Sequence, residues 1–128
     1  MRLPLELVVA PMLTSVTSVW RTVVSSSEVP DSGVLTIEID GEEVVLWRSA
    51  SGVLAACDPR CPHQLAHLGA VGAVDGEELV CLSHFWRFRA DGGGSKVAMN
   101  GRRDEKGPIL SHQVREIDGR IELSMTAE

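Results

Sequence analysis

The chain has 128 residues, 44% hydrophobic and 23% charged, which is one domain's length with enough apolar side chain to bury a core and excludes intrinsic disorder. Twelve basic against eighteen acidic residues give a net charge of −6. That balance speaks against a nucleic-acid binder, which needs a basic face for phosphates, and favours solubility and a basic docking partner.

In chain order, the first stretch, 1–19, is apolar but interrupted by Pro4, Glu6 and Pro11, with one basic residue, Arg2, and no twin-arginine pair. It is too broken for a membrane span and reads as an N-terminal extension that precedes a domain at 20–128. No membrane role is expected. Val34 to Asp40 alternates apolar and polar residues, and Glu43 to Arg48 reads as its return strand through Asp40-Gly41. Ser51-Gly52 turns the chain into a strand at Val53 to Cys57. Further short strands are predicted at Leu79 to Leu82 and Phe85 to Arg89. Gln113 to Ile117 and Arg120 to Met125 close the chain as a hairpin through Asp118-Gly119, and Asp75-Gly76 and Asp91-Gly92 mark other turns. Gly92-Gly93-Gly94 and residues 101–107 read as loops, the mixed-charge run Arg102 to Lys106 as a solvated one. No segment after the N-terminus shows a sustained helical period. Short strands at this spacing predict an all-β fold, an antiparallel sandwich or small barrel.

Three cysteines are too few, and odd in number, for a disulfide scaffold. The thiols therefore read as reduced, in a cytoplasmic setting, or as metal ligands. Cys61-Pro62-His63 is followed after seventeen residues by Cys81-Leu82-Ser83-His84. Two loops, each with one Cys and one His, can supply two thiolates and two imidazoles to one centre. Zinc accepts that set in a tetrahedron. A [2Fe–2S] cluster accepts it differently, with both thiolates on one iron and both imidazoles on the other, so that each loop spans the cluster.

The run CPHQLAHLGAVGAVDGEELVCLSHFWRF resembles the cluster-binding segment of Rieske iron–sulfur proteins. It looks most like Rieske ferredoxins and the Rieske domains of bacterial ring-hydroxylating and steroid-type oxygenases. Leu68, Gly69 and Trp86-Arg87-Phe88 take family places, Ser27-Glu28-Val29-Pro30 resembles the domain start, and Gly107-Pro108-Ile109-Leu110 resembles the loop that covers the cluster. The resemblance implies an antiparallel base with a cluster-binding lobe at about 57–90. It implies one [2Fe–2S] cluster per chain, with Cys61 and Cys81 on the inner iron and His63 and His84 on the outer one. Two departures matter. The family usually has Gly after the second His, where this chain has Phe85, which could disturb a backbone N–H aimed at the cluster sulfurs. The extra cysteines of respiratory Rieske proteins have no counterpart, which by resemblance places the potential near the bottom of the range of about −150 to +300 mV.

The implied function is one-electron transfer from a flavin-dependent reductase to a terminal oxygenase, by transient docking. Only His67 and His112 remain beyond the four ligands, with no pattern for the two-His, one-carboxylate iron of an oxygenase. There is also no nucleotide-binding fingerprint, so no catalytic residues are assigned and the chain is not expected to be an enzyme by itself. Two alternatives stand beside this reading. The chain could be the Rieske portion or a small subunit of a multi-component oxygenase, or a cluster-free or zinc-binding interaction module on a Rieske scaffold. Cys57, in an apolar run, reads as a core thiol; His67 as a packed or surface residue; His112 as a solvent-facing strand residue. Trp20 and Trp47 read as core, while Trp86 is divided between shielding the cluster and ordinary packing.

Overall fold

The computed structural model describes residues 17–63 and 65–127. Of the expected N-terminal extension, residues 1–16 lie outside this range. The elements in order are β1 (Thr17–Ser25), a 3-10 turn (Ser26–Glu28), β2 (Val34–Ile39), β3 (Glu42–Arg48), β4 (Leu54–Cys57), α1 (Leu68–Val71), β5 (Gly72–Asp75), β6 (Glu78–Cys81), β7 (Arg87–Phe88), β8 (Gly94–Val97), β9 (Arg103–Lys106), β10 (Ser111–His112), β11 (Val114–Ile117) and β12 (Arg120–Ala127). They form three antiparallel sheets, ordered β1-β12-β11, β10-β4-β3-β2 and β5-β6-β7-β8-β9. The all-β expectation holds. Among the described residues no helix is long and apolar enough to cross a membrane.

The middle sheet organises the molecule. Val44, Val45, Leu46 and Trp47 of β3 form an unbroken buried run. A strand buried on one face alternates; one buried on both does not. Val45 and Trp47 pack with Ala55, Cys57, Leu79, Phe88 and Ile109, whereas Val44 and Leu46 pack with Val29, Ile39, Ala56, Ile121 and Leu123. The first cluster belongs to the lobe and the second to the base formed with β1, β11 and β12. One sheet is thus the floor of the lobe and the roof of the base.

Turn chemistry sets the register. Asp40-Gly41 and Asp118-Gly119 both have positive φ at each residue, as two-residue hairpins that match strand twist require. They fix Ile39 opposite Glu42 and Ile117 opposite Arg120. Several expectations need correction. The strand predicted at Phe85 to Arg89 is only Arg87–Phe88, because Phe85 adopts a positive φ that closes a loop. The run Arg102 to Lys106 is largely β9, an edge strand paired to β8, so its charges mark a solvated edge rather than a loop. Gly94 starts β8 instead of ending a turn; a Cβ there would overlap the Gly107 carbonyl. The strand β1 crosses the division placed between residues 19 and 20, through backbone pairing to β12 that begins at Thr17. Trp47 is core, but Trp20 is half-buried under the Arg115 guanidinium, 4.1 Å from the ring centre. His112 is half-buried in β10, against a cleft lined by Asp40 and Glu42.

The base and the middle sheet share one buried arginine. Arg48, at the end of β3, donates from Nε to the Val29 carbonyl at 2.6 Å. Its two Nη atoms grip Glu116 of β11 at 2.9 and 2.8 Å. This bidentate pair holds the Glu116 carboxyl down at about 2. Sequence reading missed it, since nothing in either strand marks residues 68 positions apart as partners.

Candidate metal centre

The two loops that carry the Cys-His pairs share one backbone frame. In the first, the Cys61 N–H donates to the Ala66 carbonyl at 2.9 Å, and the Leu65 N–H to the Cys61 carbonyl at 2.7 Å. In the second, the Cys81 N–H donates to the Trp86 carbonyl at 2.8 Å, and the Phe85 N–H to the Cys81 carbonyl at 2.6 Å. The residue four past each Cys is left-handed, Leu65 at φ 61 and Phe85 at φ 64. That twist turns the chain back on its own cysteine. The Phe85 N–H is therefore committed to a carbonyl inside its loop, and the position is one where glycine is the unstrained residue. Leu65 was not singled out in the sequence. The signal was its offset from Cys61, identical to that of Phe85 from Cys81.

Short connections hold the loops side by side. The Leu68 N–H donates to the Pro59 carbonyl at 2.7 Å, and the Leu82 N–H to the Val71 carbonyl at 2.8 Å. Through these, α1 and the β5–β6 hairpin tie one loop to the other. Gly69 lets α1 lie on β2, since a Cβ there would overlap the Thr36 hydroxyl. Both cysteines sit at the roots of their loops, 1% exposed, packed with Leu68, Leu79, Phe88 and Ile109. Ile109 brings the Gly107–Leu110 segment into the same core, while Leu110 stays exposed.

The imidazoles lie outside this layer. His63 is exposed and His84 half-exposed, with ring centres 5.1 Å apart and edge-on at 90°. His63 stacks on Trp86 at 4.6 Å and 7°. Trp86 in turn meets Phe88 at 6.5 Å, and Lys106 Nζ lies 5.8 Å from its ring centre. Trp86 thus both packs on the core and covers one side of an imidazole. Ser83 Oγ lies 3.1 Å from His84 Nδ1.

The donors are layered, with sulfur buried inside and nitrogen outward. Among the described residues no three His, Cys, Asp or Glu side chains gather round a single metal-ion position. Two buried thiols and two outward imidazoles are the donor types that a [2Fe–2S] centre with mixed ligands would need.

The remaining candidates lie elsewhere. His67 caps α1: its Nδ1 accepts from the Gly69 N–H at 3.0 Å, so its Nε2 carries the proton and donates to Glu43 at 2.9 Å. Both ring nitrogens are engaged. Cys57 is buried in β4 opposite Val45, and burial first, with Asp58 second, pushes its thiol up to about 12. It is a core residue held neutral.

Comparisons with known proteins bear on the family and the fold. The family model "Rieske [2Fe-2S] domain" matches residues 19–107. Cholesterol 7-desaturase nvd of Bombyx mori is 33% identical over 114 residues, 85% of this chain and 24% of the relative. Protein TIC 55 of Arabidopsis thaliana is 33% identical over 76 residues, 59% of this chain and 14% of the relative. Among solved structures, dicamba monooxygenase bound to dicamba superposes with a TM-score of 0.71 at 27% identity, over 82% of this chain and 31% of that one. The chain thus spans a quarter or less of these curated relatives. It belongs to the Rieske [2Fe–2S] domain family.

Proposed function

We propose that this chain, as a Rieske [2Fe–2S] domain, is a one-electron carrier that passes electrons from a flavin-dependent reductase to a terminal oxygenase. The observation that carries the reading is the layered donor set. Cys61 and Cys81 would hold the inner iron from the lobe core, and His63 and His84 the outer iron at the surface. When bound, such a cluster stores and releases a single electron, at a potential raised by its neutral imidazole ligands. The protein's own residues supply the rest. The shared loop frame fixes the four donors on rigid backbone. The apolar packing of Leu68, Leu79, Phe88 and Ile109 keeps water from the thiol side. Trp86 holds the His63 ring in one plane. The exposed imidazole edges let a partner approach closely without opening the fold.

A second reading has its own support. The chain covers 31% of dicamba monooxygenase and 24% of the silkworm desaturase, so the domain recurs inside longer oxygenase-type chains. It could serve as the Rieske portion or small subunit of such an enzyme, with the same electron-handling role.

The test is iron and acid-labile sulfide on anaerobically purified protein, with an EPR spectrum after reduction. Two of each per chain, with the low average g-value of a mixed-ligand cluster, is the expected result. His84→Ala should lose the cluster while His67→Ala, which breaks the α1 cap and the bond to Glu43, should keep it. Zinc or an empty site after reconstitution would leave an interaction module and refute the carrier. A tightly co-purifying catalytic chain would favour the second reading over the first.

A further inference from the structure

The net charge of −6 points to a basic partner, but the face around the two histidines has the opposite character. Among the described residues most arginines are tied to carboxylates: Arg21 to Asp40, Arg48 to Glu116, Arg87 and Arg103 to Glu78, Arg102 to Asp104, Arg115 and Arg120 to Glu122, and Arg89 to Asp91 and Glu105 at 3.8 Å. Within that set of residues, Arg60, Lys96 and Lys106 are the cations without an ion pair. Two of these three stand beside the ligand loops. Lys106 Nζ sits against Trp86, the ring that stacks on His63. Arg60 precedes Cys61 and is exposed. It lines an open cleft of ≈ 350 Å³ with Asp58, Pro62, Leu65, Ile109 and Leu110. The one carboxylate there, Asp58, is half-buried and accepts from the Arg60 backbone N–H at 2.9 Å. Leu65 and Leu110 on this cleft, and Leu82 and Phe85 on the second loop, are all more than half exposed.

We infer that this face docks a redox protein whose contact surface is acidic around an apolar centre, with the partner's carboxylates meeting Arg60 and Lys106. The inference rests on the electron-carrier reading above. The two cations need break no internal pair to engage a partner, so their full charge is available. The exposed leucines and Phe85 supply the apolar patch that becomes water-excluded at the centre of an interface. Elsewhere the acidic surface repels such a partner, for example at Glu38 and Glu42 on the β2–β3 hairpin. Repulsion over most of the molecule and attraction at the tip would orient the encounter with the histidines facing the partner.

The test uses two haem proteins of opposite charge as probes, acidic cytochrome b5 and basic cytochrome c. Each ferric haem takes one electron from the reduced protein and becomes ferrous, followed by stopped-flow absorbance. With cytochrome b5 the second-order rate should fall as ionic strength rises from about 0.01 M to about 0.15 M. Lys106→Glu and Arg60→Glu should each slow it several-fold at low salt. Lys96→Glu, the third unpaired cation, should change it less than twofold. Iron and sulfide content, with Lys106→Gln and Arg60→Gln as milder variants, separates a charge effect from cluster loss. The inference is overturned if the rate with cytochrome b5 rises with salt, as net charge alone demands, or if the two tip variants match Lys96→Glu. If the wild-type protein shows no reducible centre before any acceptor is added, the carrier reading itself falls and this inference with it.

Discussion

The departure from the family pattern at Phe85 can be measured directly. Phe85 holds φ 64 in a folded loop, and Leu65 holds φ 61 at the matching place in the other loop. A side chain in that region costs on the order of 1–2 kcal/mol against glycine, because Cβ crowds the following carbonyl. Replacing Phe85 by glycine alone would mix relief of strain with loss of the ring, which is 59% exposed but still buries part of its surface. Comparing Phe85→Gly with Phe85→Ala removes the ring from both and leaves the backbone term. At ordinary negative φ alanine is favoured over glycine by about 0.4–1 kcal/mol, through the entropy of the unfolded chain. At positive φ the order should invert, with glycine ahead by about 1 kcal/mol. Unfolding entropy of about 2.1 cal/mol/K per residue over 128 residues makes that difference about 4 °C in Tm. The assay is calorimetry of the two holoproteins at one scan rate, repeated for Leu65→Gly against Leu65→Ala. An alanine variant that melts at or above its glycine counterpart at both positions would refute the shared left-handed frame.

Other outcomes follow from the same contacts. Arg48→Met should cost about 2–3 kcal/mol in thermal unfolding, chiefly because the buried Val29 carbonyl loses its donor while Glu116, partly exposed, rehydrates. The Arg48 guanidinium holds the Glu116 carboxyl at about 2, below its ordinary 4.5. Its contribution is therefore whole above pH 4.5 and lost as pH falls through about 2. Glu116→Gln should flatten the acid side of the stability curve in that window; an unchanged curve would count against the pair. Cys57→Ala should retain two irons and two sulfides, since this thiol lies in the strand core, and loss of the cluster would reassign it to the centre.

The two Cys-His pairs were legible as a candidate site because the information is local: Cys and His within two or three positions, framed by turn residues. The two hairpins closed by Asp40-Gly41 and Asp118-Gly119 were legible for the same reason. Missed features each depend on something distant in the chain. Residues Arg103–Lys106 are polar and carry no alternation, because an edge strand takes its partner from β8 rather than from a buried face. Phe85 has good strand propensity, yet the loop's hydrogen bonds to Cys81 override it. Trp20 looks like core by type, but the side chain that covers it, Arg115, lies on a strand near the other end of the chain.

The two-sided burial of β3 gives the rest of the molecule a role in the site. A lobe of short strands and the two Cys-His loops would bury little surface alone, and small cores need outside support. Here Val45 and Trp47 face the lobe while Val44 and Leu46, their sequence neighbours, face the base. Any tilt of β3 that relaxed one cluster would strain the other, because close-packed interiors do not deform smoothly. Arg48, at the end of the same strand, adds a fixed link to β11 through Glu116. The loops that carry Cys61 and Cys81 thus stand on a sheet clamped from below. For an electron carrier that rigidity matters, since donors held in one geometry need little rearrangement when charge arrives or leaves.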